Sequence, residues 1–282
     1  MRIIWHKTSL IALLAIALCV CLVWLATVNQ VFQATGSATS FANQDDLASR
    51  EVIYSRRCLA SLQQQKYIVA LTNCSQAISN NPANIEARLN LGLTHFRLEQ
   101  YQQAIAQYQF ILQKNNDYRA LYNWGLVNVA QGNYQQGIER YNLALAAPEI
   151  TKAAQVLLFN DLGAAQIMLR QYKAAISSLD QAIELDKNSL ASYFNRGCAH
   201  HHQGDYTEGI ADFSRVIALD SNYTQAYISR AILHHLVRHE KSAYEDLDVV
   251  LQHYQAKGDR VAYQRIVDLR NSMVASRVQQ TV

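Results

Sequence analysis

The sequence lacks the features that usually mark an enzyme or a nucleic-acid-binding protein. Its 282 residues carry a formal net charge of +3 and no long block of like charge, so composition gives no electrostatic reason to expect nucleic acid as a partner. The chain has no phosphate-binding glycine loop, CxxC pair, HExxH helix or nucleophile elbow. We therefore expect a non-catalytic protein with no cofactor, no metal and no small-molecule substrate.

What the sequence does contain is a repeat of about 34 residues. A small residue, the reference residue, marks each unit, and successive reference residues lie 34, 33, 38, 34 and 34 positions apart. They are Cys58, Gly92, Gly125, Gly163, Gly197 and Ala231. A tyrosine follows nine positions later in five of the six units, and a second small residue follows twelve positions later. Such a period is typical of an array of stacked units.

Apolar residues within each unit recur at spacings of three and four, which predicts two amphipathic helices per unit. Small residues facing one another allow the two backbones to approach closely, with aromatic side chains filling the gaps beside them. Only two prolines occur, Pro82 and Pro148, and both fall between units. Because each pair leaves apolar surface that only the next pair covers, we expect stability to come from stacking.

These positions resemble the tetratricopeptide repeat family, most fully in Asn195-Arg196-Gly197 through Gly204-Asp205-Tyr206 to Asp212-Phe213. The resemblance implies an all-α, right-handed superhelical solenoid of antiparallel helix pairs over residues 51–257. Its six units are 51–84, 85–117, 118–151, 156–189, 190–223 and 224–257. Four extra residues before the fourth unit predict one more helical turn. A capping helix and tail are predicted over residues 258–282, starting after an N-cap at Asp259.

A signal-anchor, or transmembrane helix, is predicted in residues 1–28. Residues 10–28 form an uncharged stretch of nineteen, which is long enough to span a bilayer. The basic residues next to this stretch, Arg2 and Lys7, both lie on its N-terminal side. We therefore expect a single-pass protein with a cytoplasmic N-terminus and the repeats on the non-cytoplasmic side. Residues 29–50 are predicted to be a flexible tether. Small residues beyond the stretch leave open a second interpretation, a cleaved signal and a soluble exported adaptor.

In the resembled family the first helices line a concave groove, and the residue two positions before each reference residue points into it. Those residues are Arg56, Asn90, Asn123, Asp161, Asn195 and Ser229. The asparagines and the aspartate resemble a ladder that holds a peptide main chain, since a carboxamide both donates and accepts. Apolar neighbours that a ligand would cover are Leu89, Leu93, Tyr122, Leu126, Phe194 and Ile228. The competing interpretation is that asparagine is simply a common consensus residue at this position of the family.

The resemblance therefore implies a membrane-tethered interaction scaffold with a protein or peptide partner in its groove. By analogy, such a scaffold would assist complex assembly in a bacterial or photosynthetic membrane. A related mode, the clamp that grips a partner's terminal carboxylates, is not expected, because no three consecutive units supply its lysine, asparagine and basic residues.

Histidines and cysteines leave two further alternatives. His200–His202 match His234–His235 one unit later, and neighbouring first helices lie about 10 Å apart, so a metal-responsive regulator is conceivable. However, His95 fills the same position in an ordinary unit, which argues for packing. Cys58 and Cys74 lie on facing helices, where Cα atoms within about 7 Å permit a disulfide. The other interpretation is that both are small buried thiols.

Overall fold

The computed structural model describes residues 50–280, with side chains for residues 51–276, and every element in this region is an α-helix. The predicted all-α class is thereby confirmed. The helices are α1 Arg50–Gln63, α2 Tyr67–Asn80, α3 Ile85–Arg97, α4 Tyr101–Leu112, α5 Tyr118–Ala130, α6 Tyr134–Leu145, α7 Lys152–Met168, α8 Tyr172–Leu185, α9 Leu190–Gln203, α10 Tyr206–Leu219, α11 Thr224–Leu236, α12 Glu240–Lys257 and α13 Arg260–Gln280.

The predicted anchor and nearly all of the predicted tether lie outside the described residues. Within residues 50–280, no helix combines the length and the apolarity needed to cross a membrane.

The described helices fall into two compact units, which we treat separately. The N-terminal unit, residues 50–169, contains α1 to α7, and each helix packs on the next. Its first helices also contact one another, α1 with α3 and α3 with α5. The C-terminal unit, from residue 170 onward, shows the same order in α8 to α13, with α9 also contacting α11. Both units are therefore stacks of antiparallel helix pairs in which first helices lie side by side.

Polar side chains start three of the first helices. Asn84, Asp117 and Thr151 each accept a backbone N–H from the first turn of the helix that follows, at 2.7, 2.9 and 3.2 Å. Such caps satisfy N–H groups that have no partner inside the helix. The third of these helices, α7, has 17 residues against 13 in α3 and in α5, so the predicted additional turn is present.

A left-handed residue ends every first helix, seven positions after the reference residue. These residues and their φ angles are Gln65 57°, Glu99 58°, Gly132 77°, Arg170 59°, Gly204 91° and Arg238 65°. Only two of the six are glycine, although side chains disfavour this conformation. Because the other four carry ordinary side chains, composition did not reveal this turn.

Three of the four reference glycines are required by the ring that follows sixteen positions later. A β-carbon at the glycine would lie 2.4, 2.4 and 2.8 Å from the nearest ring atom in the pairs Gly92–Tyr108, Gly125–Tyr141 and Gly197–Phe213. The expected contact between small residues is present as well. A β-carbon on Gly137 would lie 3.3 Å from the carbonyl oxygen of Gly125. The small residues thus admit both a ring and a neighbouring backbone.

Arginines cross-link the helices of the C-terminal unit. Arg196 forms a two-pronged pair with Asp212, with Nε–Oδ2 2.9 Å and Nη2–Oδ1 2.6 Å, and also contacts Asp180 at 2.5 Å. One repeat later, Arg230 binds Asp246 with the same two distances. Such fork-shaped pairs are stronger and more directional than single contacts. Arg196, on the first helix α9, thereby links the second helices α8 and α10 on either side of it.

The capping helix α13 closes this unit. Asp259 caps it by accepting the N–H of Ala262 at 2.9 Å, as predicted from its position. Ile266 and Met273 are buried against α11 and α12, whereas Val261 is exposed. Val261 lies in the first turn of the helix, five residues before the first buried contact.

Candidate functional site

The N-terminal unit brings four predicted groove positions onto neighbouring first helices. They are Arg56 on α1, Asn90 on α3, Asn123 on α5 and Asp161 on α7, and we call them the polar row. The contacts α1–α3 and α3–α5 place the first three helices in sequence. A hydrogen bond from Tyr122 to Asp161 then connects α5 with α7. Residues 33 to 38 positions apart in the chain thus become neighbours on one face.

Asn90 and Asn123 are the open members of the polar row. Both side chains are half-buried, and neither carboxamide forms a hydrogen bond with another described residue. Each amide therefore presents a donor and an acceptor on the first-helix face. This is the chemistry that the sequence-based hypothesis of main-chain binding requires.

Asp161 differs from the asparagines because its carboxylate is already occupied. The residue is 8% exposed; Tyr122 Oη donates to Oδ2 at 2.7 Å and Asn160 Nδ2 donates to Oδ1 at 3.1 Å. Burial raises the pKa of Asp161 to about 6, although the two hydrogen bonds act in the opposite direction and lower it. Burial, and then the nearby Asp161 charge, raises the pKa of Tyr122. The prediction of an open aspartate in the ladder is corrected accordingly.

Phe194 was wrongly predicted to line the groove. Its side chain is 0% exposed and lies in the core of the C-terminal unit, with ring centroids 5.4 Å from Phe213 and 5.3 Å from Tyr223. Asn195, beside it in the chain, is also buried, at 4% exposed. Neither residue presents an open surface to a ligand in the way that the sequence pattern suggested.

The apolar groove residues are mostly internal as well. Leu89, Tyr122 and Leu126 are buried within the N-terminal unit, and Leu93 is half-buried. Among the described first helices of this unit, exposed apolar side chains lie instead on α1, where Ile53 and Leu59 are 38% and 37% exposed on either side of Arg56. Their spacing of three residues puts all three on one helix face. The repeat pattern could have pointed to Ile53 and Leu59, since they occupy the same positions in the first repeat as Ala87 and Leu93 occupy in the second.

Three of the predicted histidines, His201, His202 and His235, are engaged in packing and local hydrogen bonds, whereas the buried Nδ1 atoms of His200 and His234 have no hydrogen-bond partner among the described residues. His202 stacks between Tyr172 and His201, with ring centroids 5.2 Å apart in each case. Burial lowers the pKa of His201 to about 4, which keeps it neutral near pH 7. His235 contacts Glu240 through Nδ1 at 3.0 Å and Ser276 through Nε2 at 3.1 Å.

Across residues 51–276, no three side chains of metal-ligand type converge on one point. The alternative of a metal-responsive regulator at His200–His202 and His234–His235 is not supported by this arrangement.

Cys58 and Cys74 form a disulfide between α1 and α2. Their sulfur atoms are 2.01 Å apart, their Cα atoms are 4.8 Å apart, and both side chains are wholly buried. Thr94 lies next to Cys74, with 3.9 Å between Oγ1 and Sγ. Cys198 is a buried cysteine of the C-terminal unit that takes no part in this bridge.

The repeat geometry agrees with comparisons to known proteins. The family model for the tetratricopeptide repeat matches residues 59–109, 89–150 and 160–224, more than half of the chain. The chain belongs to the tetratricopeptide repeat family. Proteins of this family generally mediate protein–protein interactions.

Similar solved structures share the fold. YrrB, a tetratricopeptide repeat protein with an unusual peptide-binding site, is 22% identical over 69% of this chain and 97% of its own, with a TM-score of 0.55. The pilF protein of Pseudomonas aeruginosa is 15% identical over 78% of this chain and 97% of its own, with a TM-score of 0.65. A tetratricopeptide repeat protein from Parabacteroides merdae is 17% identical over 79% and 93%, with a TM-score of 0.58. At these identities the likeness shows the fold alone.

Proposed function

We propose that this protein is a non-catalytic, membrane-tethered scaffold whose polar row binds an extended segment of a partner protein. The observation that carries the proposal is the pair of open carboxamides, Asn90 and Asn123, at equivalent positions on the neighbouring helices α3 and α5. A carboxamide pairs with one peptide unit through both its N–H and its C=O and is indifferent to the ligand's side chain.

The spacing of the two asparagines suits an extended ligand. Neighbouring packed helices lie about 10 Å apart, and an extended chain advances about 3.3 Å per residue. Asn90 and Asn123 therefore contact peptide units about three residues apart in the ligand. YrrB, which shares the fold, is itself described as having a peptide-binding site, and this supports a peptide ligand here.

Two features support tethering with the repeats on the non-cytoplasmic side. Residues 10–28 are uncharged and long enough to span a bilayer, and basic residues precede them. The disulfide between Cys58 and Cys74 is of a kind that forms in oxidising compartments and is rare in the cytosol. A soluble exported adaptor, released by cleavage, is the second candidate, because the same disulfide supports export in either form.

Replacing both open asparagines tests the binding proposal. In the full chain, Asn90→Ala with Asn123→Ala is expected to reduce partner recovery in membrane cross-linking at least tenfold, while helix content and Tm stay unchanged. The matched control replaces two exposed asparagines, Asn142 on α6 and Asn271 on α13, by alanine. Equal recovery from both double variants would remove the polar row from the binding site.

Protease accessibility and mass measurement test the membrane proposal. Protease added outside intact spheroplasts is expected to digest the repeats, and protection until lysis would reverse the proposed orientation. The mass of the mature chain then separates the two candidates. A chain that retains residues 1–28 supports the tether, whereas a shortened one supports the exported adaptor.

A further inference from the structure

Two exposed apolar side chains begin α2, at positions where the other repeats carry mostly polar residues. Ile68 and Val69 are 67% and 50% exposed. At these two positions the other five repeats have Gln102-Gln103, Gln135-Gln136, Lys173-Ala174, Thr207-Glu208 and Lys241-Ser242. The stacking of the repeats therefore does not require an apolar side chain here, and Ile68 and Val69 are available to a partner outside the array.

The first repeat also has an open face on α1. Ile53 is 38% exposed, whereas the residues at its position in the other five repeats are at most 1% exposed. They are Ala87, Ala120, Leu158, Ser192 and Ala226. Each of these five lies on a helix against which the preceding second helix packs, and within residues 50–280 no helix precedes α1. Ile53 thus belongs to a stacking face that no described helix pair covers.

Arg57, one helical turn after Ile53, adds a cation to the same face of α1. It occupies the position that Arg196 has in the fifth repeat, and Asn73 occupies the position of Asp212. Arg196 is bound by the carboxylate of Asp212, whereas the amide of Asn73 carries no charge. Arg57 is exposed and forms no ion pair with another described residue.

The apolar residues and the cations form one surface at the start of the described array, which we call the end surface. Val69 lies one helical turn before the α2 residue that faces Arg57. Lys66 is exposed in the turn between the two helices and has no ionic partner among residues 51–276. No acidic residue occurs between Glu51 and Glu86. The end surface comprises Ile53, Arg57, Lys66, Ile68 and Val69.

We infer that the end surface lies against the headgroups of an anionic lipid bilayer, with Ile68 and Val69 entering the apolar boundary and Arg57 and Lys66 contacting phosphate. Apolar side chains beside cations, with no carboxylate among them, fit a membrane interface because that interface stabilises both kinds of group. The inference goes beyond peptide binding, which uses the polar row. It rests on the membrane-tethering part of the proposed function.

The length of the chain before α1 brings the end surface within reach of the bilayer. Twenty-one residues, 29–49, separate the proposed membrane span from α1. A flexible chain of this length has an end-to-end distance of about 25 Å. The 14 residues of α1 form a helix about 21 Å long. The proposed tether and the first repeat therefore have similar dimensions, and contact between the end surface and the lipid needs no further stretch of chain.

Hydrogen exchange of the full chain in lipid nanodiscs tests the inference. One set of nanodiscs contains phosphatidylcholine alone, and the other contains one-third phosphatidylglycerol. The backbone N–H groups of residues 67–69 are measured, because they precede the first hydrogen bond of α2, from Ala70 N–H to Lys66 C=O. We expect their exchange to be at least fivefold slower in the anionic nanodiscs than in the neutral ones.

Two double variants separate the apolar from the basic contribution. Ile68→Ser with Val69→Ser, and Arg57→Gln with Lys66→Gln, are each expected to make exchange in the two lipids equal within twofold. The ratio is taken within each variant, so changes in intrinsic exchange rate cancel. Because all four side chains are exposed, Tm should stay unchanged.

Matched controls come from exposed residues elsewhere in the chain. Leu143→Ser on α6 removes a side chain that is 49% exposed, and Arg260→Gln with Arg265→Gln on α13 removes two exposed cations. Both controls should keep the full lipid dependence. Loss of the lipid dependence in either control would show that general hydrophobicity or net charge, and not the end surface, is responsible.

Extraction of native membranes with alkaline carbonate separates this inference from the tether on which it rests. Equal exchange in both lipids, in a chain that resists extraction, would overturn the lipid contact and leave the tether intact. Exchange that is equally slow in both lipids would assign the end surface to another protein segment or a second copy, and would also overturn the inference. A chain that carbonate releases would overturn the tether together with the inference.

Discussion

Cys58 and Cys74 occupy, in the first repeat, the two positions that Gly92 and Tyr108 occupy in the second. In the second repeat a ring packs directly on a glycine, whereas in the first a covalent bridge joins the same two helices. Leu91 of the second repeat packs against the bridge. The helix pair formed by α1 and α2 is therefore held by a covalent cross-link at the position where the next pair, α3 and α4, is held by packing of a ring against a glycine.

Removing this bridge should loosen the first repeat. The bridge spans a sequence separation of 16 residues, for which loop entropy predicts about 3 kcal/mol of stabilisation. Cys58→Ala with Cys74→Ala is expected to speed hydrogen exchange in residues 50–80 more than in residues 170–280. Alkylation of denatured, unreduced protein should label Cys198 but neither Cys58 nor Cys74. Labelling of all three cysteines would contradict the bridge.

Gly92→Ala should destabilise the N-terminal unit, because the new β-carbon would lie 2.4 Å from Tyr108 Cε1. Overpacking of this kind typically costs about 1–3 kcal/mol. Adding Tyr108→Leu should restore part of the loss, since Ala231 and Leu247 form this combination in the sixth repeat. A double-mutant cycle in urea measures the coupling. Additive effects of the two substitutions would show that the ring does not require the glycine.

Tyr108→Phe should raise stability although it deletes a hydroxyl group. Tyr108 Oη is buried and has no hydrogen-bond partner among the described residues, and Phe213 already fills this position in the fifth repeat. Removing an unsatisfied buried polar atom is expected to gain about 1 kcal/mol. Tyr122→Phe is the matched comparison and should lower stability, because it removes the bond to Asp161. Equal losses in the two urea titrations would contradict this prediction.

Replacing the natural residue by glycine at the left-handed turn positions should raise the stability of the protein. Glu99 and Arg238 have φ angles of 58° and 65°, so Glu99→Gly and Arg238→Gly are each expected to raise stability by about 0.5–1 kcal/mol. Gly132→Ala, at φ 77°, should lower it by a similar amount. As a control, Gln135→Gly in the exposed first turn of α6 should destabilise. Thermal melts of the variants measure whether each substitution raises or lowers stability.

The stability of the N-terminal unit should depend on the charge of Asp161. Its pKa is about 6 in the folded protein against an ordinary value of 3.8, so the folded state binds this proton more tightly than the unfolded chain does. Stability is therefore lost as pH rises from about 4 to about 6 and stays lower above that range. Asp161→Asn is expected to gain about 1–3 kcal/mol at pH 7.5 and almost nothing at pH 4.

Urea titrations at several pH values measure this difference, with Asp268→Asn as the control for a lost surface charge. A gain that is the same at pH 4 and pH 7.5 would show that ionisation of Asp161 is not its cause.

Much of the fold was predictable because the repeat pattern is local. Spacings of three and four define each helix face, and the position sixteen residues after the reference lies on the partner helix of the same pair. Cys58 and Cys74 were recognised as facing residues for this reason. The left-handed turns were not predicted, because Glu99 and Arg238 give no signal that glycine would have given.

The sequence by itself determined the number of helix pairs, their order and the positions that face outward from each first helix. Only the tertiary structure decided which of those positions remain open. Asn123 and Asp161 have the same place in their repeats, yet a tyrosine 39 residues earlier in the chain reaches Asp161 and occupies it. Phe194 was misassigned although the rings that enclose it, Phe213 and Tyr223, belong to its own repeat. Burial depends on side chains brought in from neighbouring helices of the same or of another repeat, and the spacing of residues along one helix does not specify them.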